Sequence, residues 1–400
     1  GEMLSHGAII SNCKGAHQLL DELGLEDEVF LSFLPLSHSY EHTAGLMFPI
    51  SIAAQIYYAE GVDRLAGNML EASPTLMTAV PRLYETMHGR IIRGVRQAGG
   101  LQEKLFNKAV ELGTRKYEGG EFGPITSIVD AVLERLVRAK VRARFGGRLK
   151  ALVSGGAPLN YDIGVFFTSL GLRILQGYGQ TESAPVISCN PPSKVKIDTV
   201  GPSVVDVDVK IAEDGEILVR GELVMQGYWK DAEATAQVIR DGWLHTGDIG
   251  ELDDDDYIRI TDRKKDIIVN SGGDNISPQR VEGFLTVQPE IAQAMVHGDN
   301  RPHLVALVVP DEEFVRDWAN SHNRPTELGE LANDPNFRQA ISEVIDRVNA
   351  SLAVIERVRR FTIATEPFTI ENALLTPSFK IRRHKITDIH LNTLEALYGH

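Results

Sequence analysis

The chain holds 400 residues, 43% hydrophobic and 24% charged, a balance that makes it globular and long enough for more than one domain. Its 41 basic and 55 acidic side chains leave a net charge of −14, which disfavours nucleic acid or an anionic membrane as a general partner. Cys13 and Cys189 are too few for a disulfide framework, and with no basic-then-apolar leader at the start they fit a reducing, cytoplasmic location.

The first segment with chemistry in it is LPLSHSYEHTAG, residues 34–45. His38, Glu41 and His42 spell the H-x-x-E-H pattern of the inverted zinc proteases. On a helix the three share a face, where two imidazoles hold a metal and the carboxylate activates its water. A match this short is weak, so the protease is the remote reading, and the plain one for His38 is a core histidine bonded to backbone. The next run, AGLMFPISIAAQIYYA from Ala44, is shorter than the roughly 20 residues of a spanning helix and holds Pro49, Ser51 and Gln55. It reads as buried core.

A charged helical stretch occupies 94–148. Between Arg135 and Lys150, the basic residues Arg138, Lys140, Arg142, Arg144 and Arg148 interleave with Val132, Leu133, Leu136, Val137 and Val141 at helical spacing. A solvated basic face over a core stripe is the preferred reading. Weak contact with lipid headgroups, or with the phosphates of a large anionic substrate, is the lesser one. Beyond it, the short β-like runs LKALVSGG, LRILQGYG and GEILVRG alternate with helical stretches, which predicts a layered α/β body. The loops SGGAPL and GYGQTESAP each come after an apolar run, where glycine lets backbone approach a ligand. A dinucleotide fingerprint fails because Glu182 stands where the third glycine belongs, and no Walker loop is present. The acidic run Asp253–Asp256 lacks the glycine and closing glutamate of a calcium loop and reads as a hairpin turn. After about residue 262 the pattern becomes a smaller α+β unit, with strands near 291–297 and 303–309. A helix then carries Phe337, Ile341, Val344, Ile345, Val348 and Leu352 on one side. The charged TDRKKD segment suits an exposed joint between the two.

Five segments in order, GYGQTESAP, GEILVRGELVMQGYWK, GWLHTGDIGELD, YIRITDRKKDIIVNSGGDNISPQRVE and LLTPSFKIRR, resemble the successive core motifs of the acyl-adenylate-forming enzymes. The resemblance runs the length of the chain. The helical insert of 94–148, ending in GGRLKALVSGGAPL, makes it closest to the long-chain fatty acyl-CoA synthetases. The resemblance implies an incomplete α/β adenylation domain over 1–263, of layered sheets and helices, and a smaller, mobile α+β domain over 264–400. The implied activity is ATP-dependent conversion of a fatty acid to its acyl-adenylate, then transfer to the thiol of coenzyme A, releasing AMP and pyrophosphate. ATP, Mg2+ and coenzyme A are the implied cofactors and co-substrates.

The resemblance also implies roles residue by residue. Glu182 is the magnesium ligand and Thr181 beside it donates to a phosphate oxygen. Gly155, Gly156 and Ala157 form one wall of the adenine slot, Tyr178 stacks on the other, and Gly179 and Gln180 complete that loop. Asp248 accepts from the ribose hydroxyls with Arg263 assisting, His38 lies near the acyl and thiol entry, and Lys380 bridges the attacking carboxylate and the α-phosphate. For thioester formation the small domain turns about a hinge at Lys265, exchanging Lys380 for the loop Ser271, Gly272 and Gly273. Ser378-Phe379 stands where the wider superfamily carries Ser-Gly. Gly1 matches the last residue of the family's phosphate loop, so the 400 residues by themselves are expected to make no acyl-CoA and to aggregate. The alternatives are a truncated, non-catalytic remnant, a ligase whose acceptor is a carrier-protein thiol, and the remote zinc protease.

Overall fold

The computed structural model describes residues 1–61, 64–376 and 380–399, which divide into two compact units, Gly1–Thr261 and Asp262–His400. Unit 1 is built on β1 (Val29–Ser32), β2 (Gln55–Tyr58), β3 (Leu76–Ala79), β4 (Ala151–Ser154), β5 (Ile174–Gly179) and β6 (Val186–Cys189). They form one sheet in the order β2-β1-β3-β4-β5-β6, parallel throughout except for the last pair. Every residue of β1 and β3 is buried, as the near-continuous apolar runs of a parallel sheet covered on both faces require. The helix His6–Leu20, capped by Ser5 whose hydroxyl accepts from the Ala8 N–H at 2.9 Å, packs Cys13 and Leu20 into the same core as Phe30, Leu76, Leu175 and Cys189. Both thiols are buried, and burial pushes that of Cys189 up to about 12.

A second sheet of unit 1 comprises β7 (Asp208–Ile211), β8 (Glu216–Arg220), β9 (Ile239–Arg240), β10 (Trp243–Leu252) and β11 (Ile258–Arg263), in the order β11-β10-β8-β7 with β9 beside β10. Its core of Ile217, Val219, Leu244 and Ile258 also receives Tyr178 and Ile187 from the first sheet's end. The acidic run Asp253–Asp256 turns β10 into β11. Asp256 sits at φ 62°, and the Asp253 carboxylate accepts from the Asp255 and Tyr257 N–H groups at 2.9 and 3.0 Å. Lys196 caps the turn and holds the Asp253 carboxyl down at about 2.

The basic stretch departs from its expected pattern. It is three joined helical pieces, Pro124–Leu133, a π-helical turn Glu134–Arg138, and Ala139–Arg144. The extra residue in the π turn rotates the third piece relative to the first. Leu133 and Val137 are buried as expected, whereas Val132 and Leu136 are 48% and 45% exposed. Arg138, read as a solvated charge, is instead 5% exposed: it meets Asp130 at 2.8 Å and donates to the carbonyls of Ser169 at 2.7 Å and Ala109 at 2.9 Å. Among the described residues no helix is long and apolar enough to cross a membrane.

Unit 2 contains the short pair β12 (Ile268–Val269) and β13 (Asn275–Ile276), and a sheet β14-β15-β16 of Ile291–His297, Leu304–Pro310 and Val358–Ile363. Side-chain alternation splits it into two cores. Ala294, Val296, Ala306 and Val308 pack with the helix Pro335–Asn349, and Met295, Val305, Leu307 and Val309 with Ile386 and Leu394 of the helix Arg383–Ala396. The expected apolar side of the former helix is buried from Phe337 to Val348; Leu352 is buried too, but lies beyond the helix end at Asn349.

Candidate active site

In a parallel sheet the strands' carboxyl ends share one edge, the usual seat of a ligand in an open α/β fold. Here that edge presents Ser32 of β1, Ala79 of β3, Ser154 of β4 and the glycine-rich end of β5. Gly155 donates to the Ala79 carbonyl at 3.1 Å and lies against the Tyr40 ring so closely that a Cβ would meet it at 2.9 Å. Gly156 has φ +81°, turning the chain out so that Ala157 is exposed. Ser154 Oγ is wholly buried and has no hydrogen-bond partner among the described residues, an orphaned polar atom at the foot of this loop.

β5 supplies Tyr178 and Gly179, and the chain then folds into a turn over Thr181–Ser183 with Gln180 at its cap. Gly179 is obligatory there: a Cβ would stand 1.8 Å from the Pro185 carbonyl oxygen. Buried Asn12 staples the far side, its amide donating to the Ser183 and Val186 carbonyls at 3.2 Å each while its oxygen accepts from the Val186 N–H at 2.8 Å. Thr181 Oγ1 lies 3.0 Å from Ser39 Oγ. Glu182 Oε1 accepts from the Tyr228 hydroxyl at 2.8 Å, and its second oxygen makes no hydrogen bond among the described residues. Burial and the neighbouring carboxylate raise the Tyr228 phenol above its usual range, keeping it a donor.

Asp248 arrives from the second sheet. The pairing of β10 with β8 slips between His245 and Ile249, and Gly247 takes φ 72° in that bulge. The Glu216 carboxylate holds the bulge open, accepting from the Gly247 N–H at 2.9 Å and meeting His245 Nδ1 at 3.1 Å. Thr246 Oγ1 donates to the Ile217 carbonyl at 2.7 Å and accepts from the Asp248 N–H at 3.1 Å. Asp248, 4% exposed, then takes a 2.7 Å hydrogen bond from the Tyr178 hydroxyl. Tyr178 is itself only 8% exposed, most of its ring lying in the second sheet's core.

The H-x-x-E-H segment has another use. Glu41 opens a π-helix, Glu41–Met47, and is fully buried. Its carboxylate accepts from Ser32 Oγ at 2.6 Å, Thr78 Oγ1 at 2.7 Å and the Phe33 N–H at 3.2 Å, so it ties β1, β3 and the π-helix together. Desolvation raises its pKa against the lowering effect of those donors. A carboxylate so engaged activates no water for His38 and His42, and among the described residues no three His, Cys, Asp or Glu side chains gather as a metal centre. The zinc-protease reading is therefore set aside. His38 Nδ1 accepts from the Tyr40 N–H at 3.3 Å, and Thr43 Oγ1 donates to the Ala184 carbonyl at 3.1 Å, fixing the segment over the Thr181 turn.

Within unit 2, the N–H of Arg263 donates to Asp262 Oδ1 at 2.9 Å, and its side chain is exposed at the end of β11. Ser271, Gly272 and Gly273 form an exposed turn between β12 and β13. Asn270 Oδ1 accepts there from the Gly272 and Asp274 N–H groups at 2.9 Å each, and Gly273 has φ +87°. The Lys380 N–H donates to Thr376 Oγ1 at 3.0 Å, and the Lys380 carbonyl accepts from the Thr376 N–H at 2.8 Å. Ser378 and Phe379 lie outside the described residues.

The sequence reading missed the supports Asn12, Glu216 and Tyr228, and it gave Glu41 a different role. Glu216, polar at the head of the apolar run ILV, was the visible signal among those three.

A family model described as AMP-binding enzyme matches residues 1–229, and one described as AMP-binding enzyme C-terminal domain matches 265–400. The chain belongs to the AMP-binding enzyme family. Among relatives of this AMP-binding enzyme, the long-chain-fatty-acid–CoA ligase FadD15 of Mycobacterium bovis is 34% identical, over 100% of this chain and 67% of that protein. The peroxisomal long chain acyl-CoA synthetase 7 of Arabidopsis thaliana is 33% identical over 100% of this chain and 59% of its own. The adenylation domain of the carboxylate reductase of Mycobacterium chelonae superposes with a TM-score of 0.72 at 23% identity, covering 96% of this chain and 57% of that one. A second AMP-binding fold, the A domain of carboxylic acid reductase from Segniliparus rugosus in complex with AMP and a carboxylic acid, gives a TM-score of 0.71 at 23% identity, over 100% of this chain and 59% of its own. The α/β adenylation fold expected from the motifs is thus the observed one. The chain spans about two-thirds of the mycobacterial ligase and less of the others.

Proposed function

We propose that this chain is the greater part of an AMP-forming long-chain fatty-acid:CoA ligase, comprising much of its nucleotide site and a mobile C-terminal domain that carries the reacting lysine. The observation that carries the reading is identity of 34% along the whole chain to a named long-chain ligase. A carboxylate is a poor electrophile because its leaving group would be oxide. Attack of its oxygen on the α-phosphorus of ATP breaks the bond to pyrophosphate and leaves the acyl group on AMP. The adenine lies between Gly155, Gly156 and Ala157 on one side and Tyr178 on the other. The ribose hydroxyls donate to Asp248, aimed by Tyr178, with Arg263 assisting. Thr181 donates to a phosphate oxygen. Mg2+ supplies charge neutralisation when bound, and a single carboxylate with an open oxygen at Glu182 suits a cation that keeps waters and substrate phosphates as its other ligands. Lys380 stabilises the charge that builds between carboxylate and phosphate. The coenzyme A thiol then displaces AMP, with Ser271, Gly272 and Gly273 beside the entering pantetheine after rotation at Lys265 and with His38 near the entry.

The test separates the two half-reactions in the complete enzyme. Lys380→Ala should lower adenylate formation, measured as ATP–pyrophosphate exchange, by about 10²–10³. Conversion of synthetic acyl-adenylate to thioester should be largely spared. Equal loss in both halves would remove Lys380 from this role, and acceptance of a carrier-protein thiol in place of coenzyme A would reassign the second half.

A further inference from the structure

The helix Pro124–Leu133 and the π turn after it bury one side and leave a second apolar side in solvent. Ile125 is 80% exposed, Ile128 67%, Val129 39%, Val132 48% and Leu136 45%. Their spacing places all five on one stripe of a helix, opposite the polar contacts that anchor Arg138. Large aliphatic side chains scattered singly on a surface are ordinary; a continuous stripe of five marks something that covers it.

Charge identifies the cover. The molecule carries −14 overall, yet residues 121–150 hold seven basic side chains and three acidic ones. Of the acidic three, Asp130 and Glu134 are occupied by Arg138 and Arg142. Arg135 in the π turn, and Lys140 and Arg144 on the helical piece after it, are exposed. An exposed apolar stripe followed by exposed cations on the same surface segment is the pattern of an interfacial helix. Such a helix sinks its apolar face about 5–10 Å into the boundary of headgroups and acyl chains while its cations meet anionic lipid. A neutral protein groove would match the stripe but leave the cations without partners.

We propose that the exposed face of the segment 124–144 docks on the surface of an anionic lipid bilayer. The docking is local and reversible, since the remaining negative charge opposes it elsewhere on the molecule. It does not depend on the ligase reading, and vesicle binding is measured without substrate or turnover.

The full chain is sedimented with vesicles of phosphatidylcholine alone and of equimolar phosphatidylcholine and phosphatidylglycerol. Binding to the mixed vesicles should be stronger by at least about tenfold and should weaken with added salt. Ile128→Asp with Val132→Asp should reduce that binding at least about tenfold. Arg135→Glu with Lys140→Glu should abolish the preference for phosphatidylglycerol. All four positions are exposed, so unchanged thermal unfolding is expected and is checked for each variant. Absence of parent binding to mixed vesicles overturns the proposal, as does equal binding by the parent and both variants. Loss of self-association in the aspartate variant, with no vesicle binding by the parent, also overturns it and makes the face an interface between copies.

Discussion

The phenol of Tyr178 is buried and donates to the Asp248 carboxylate, which stands on a bulged strand. Tyr178→Phe should cost about 1–3 kcal/mol, because it leaves a buried acceptor short of a donor, and should weaken AMP binding. Urea unfolding and calorimetric titration of the complete enzyme check the two effects, and unchanged values would deny Tyr178 its positioning role. Glu41 gives a pH signature. Burial holds its carboxyl above the ordinary 4.5, so over a window above that value the folded chain keeps a proton which the unfolded chain has released. Its contribution to stability is complete on the acid side and disappears as pH rises through the folded value. Moving from pH of about 7 to about 5 should therefore raise the urea midpoint of the parent relative to Glu41→Gln, which does not titrate; parallel curves would refute this. Asp248 and Glu182 were singled out in the sequence because short motifs surround them. Glu41 was misread because its partners, Ser32 and Thr78, sit on two strands distant in the chain.

At the level of elements, the π-helix Glu41–Met47 folds its first side chain into the space left at Gly45. A Cβ at Gly45 would lie 2.4 Å from Glu41 Oε1, so Gly45→Ala must displace the carboxylate that joins β1 to β3. A loss of about 1–3 kcal/mol is expected in chemical denaturation, and it should shrink when combined with Glu41→Ala if the clash is its cause. The second π turn behaves differently. Arg138→Ala strands Asp130 and two backbone carbonyls in the interior, and should cost about 3–5 kcal/mol, visible as a fall in melting temperature. Strands β14 and β15 were readable to within a residue because alternation decides their faces. The basic helix was not, because regular helical spacing cannot register the residue added by a π turn, and that residue exchanges which side chains face the core.

Across the whole molecule, unit 2 has a self-contained interior: its three-stranded sheet is packed on both faces by its own helices. Residues 262–400 expressed alone should therefore unfold in one transition, with an enthalpy on the order of 100 kcal/mol near 60 °C by calorimetry. A broad melt without a heat peak would show that the unit needs its neighbour. The division into two units was legible in the change of sequence pattern near TDRKKD, whereas the long-range staples within unit 1, such as Asn12 to the Thr181–Ser183 turn, have no local signature. One consequence is practical. The chain's two thiols, Cys13 and Cys189, lie in a single interior of unit 1, and unit 2 has none. A disulfide reagent added to the folded chain would be consumed only as fast as unit 1 opens, whatever unit 2 is doing. The molecule thus contains its own clock for one half, against which heat or denaturant acting on the other half can be timed.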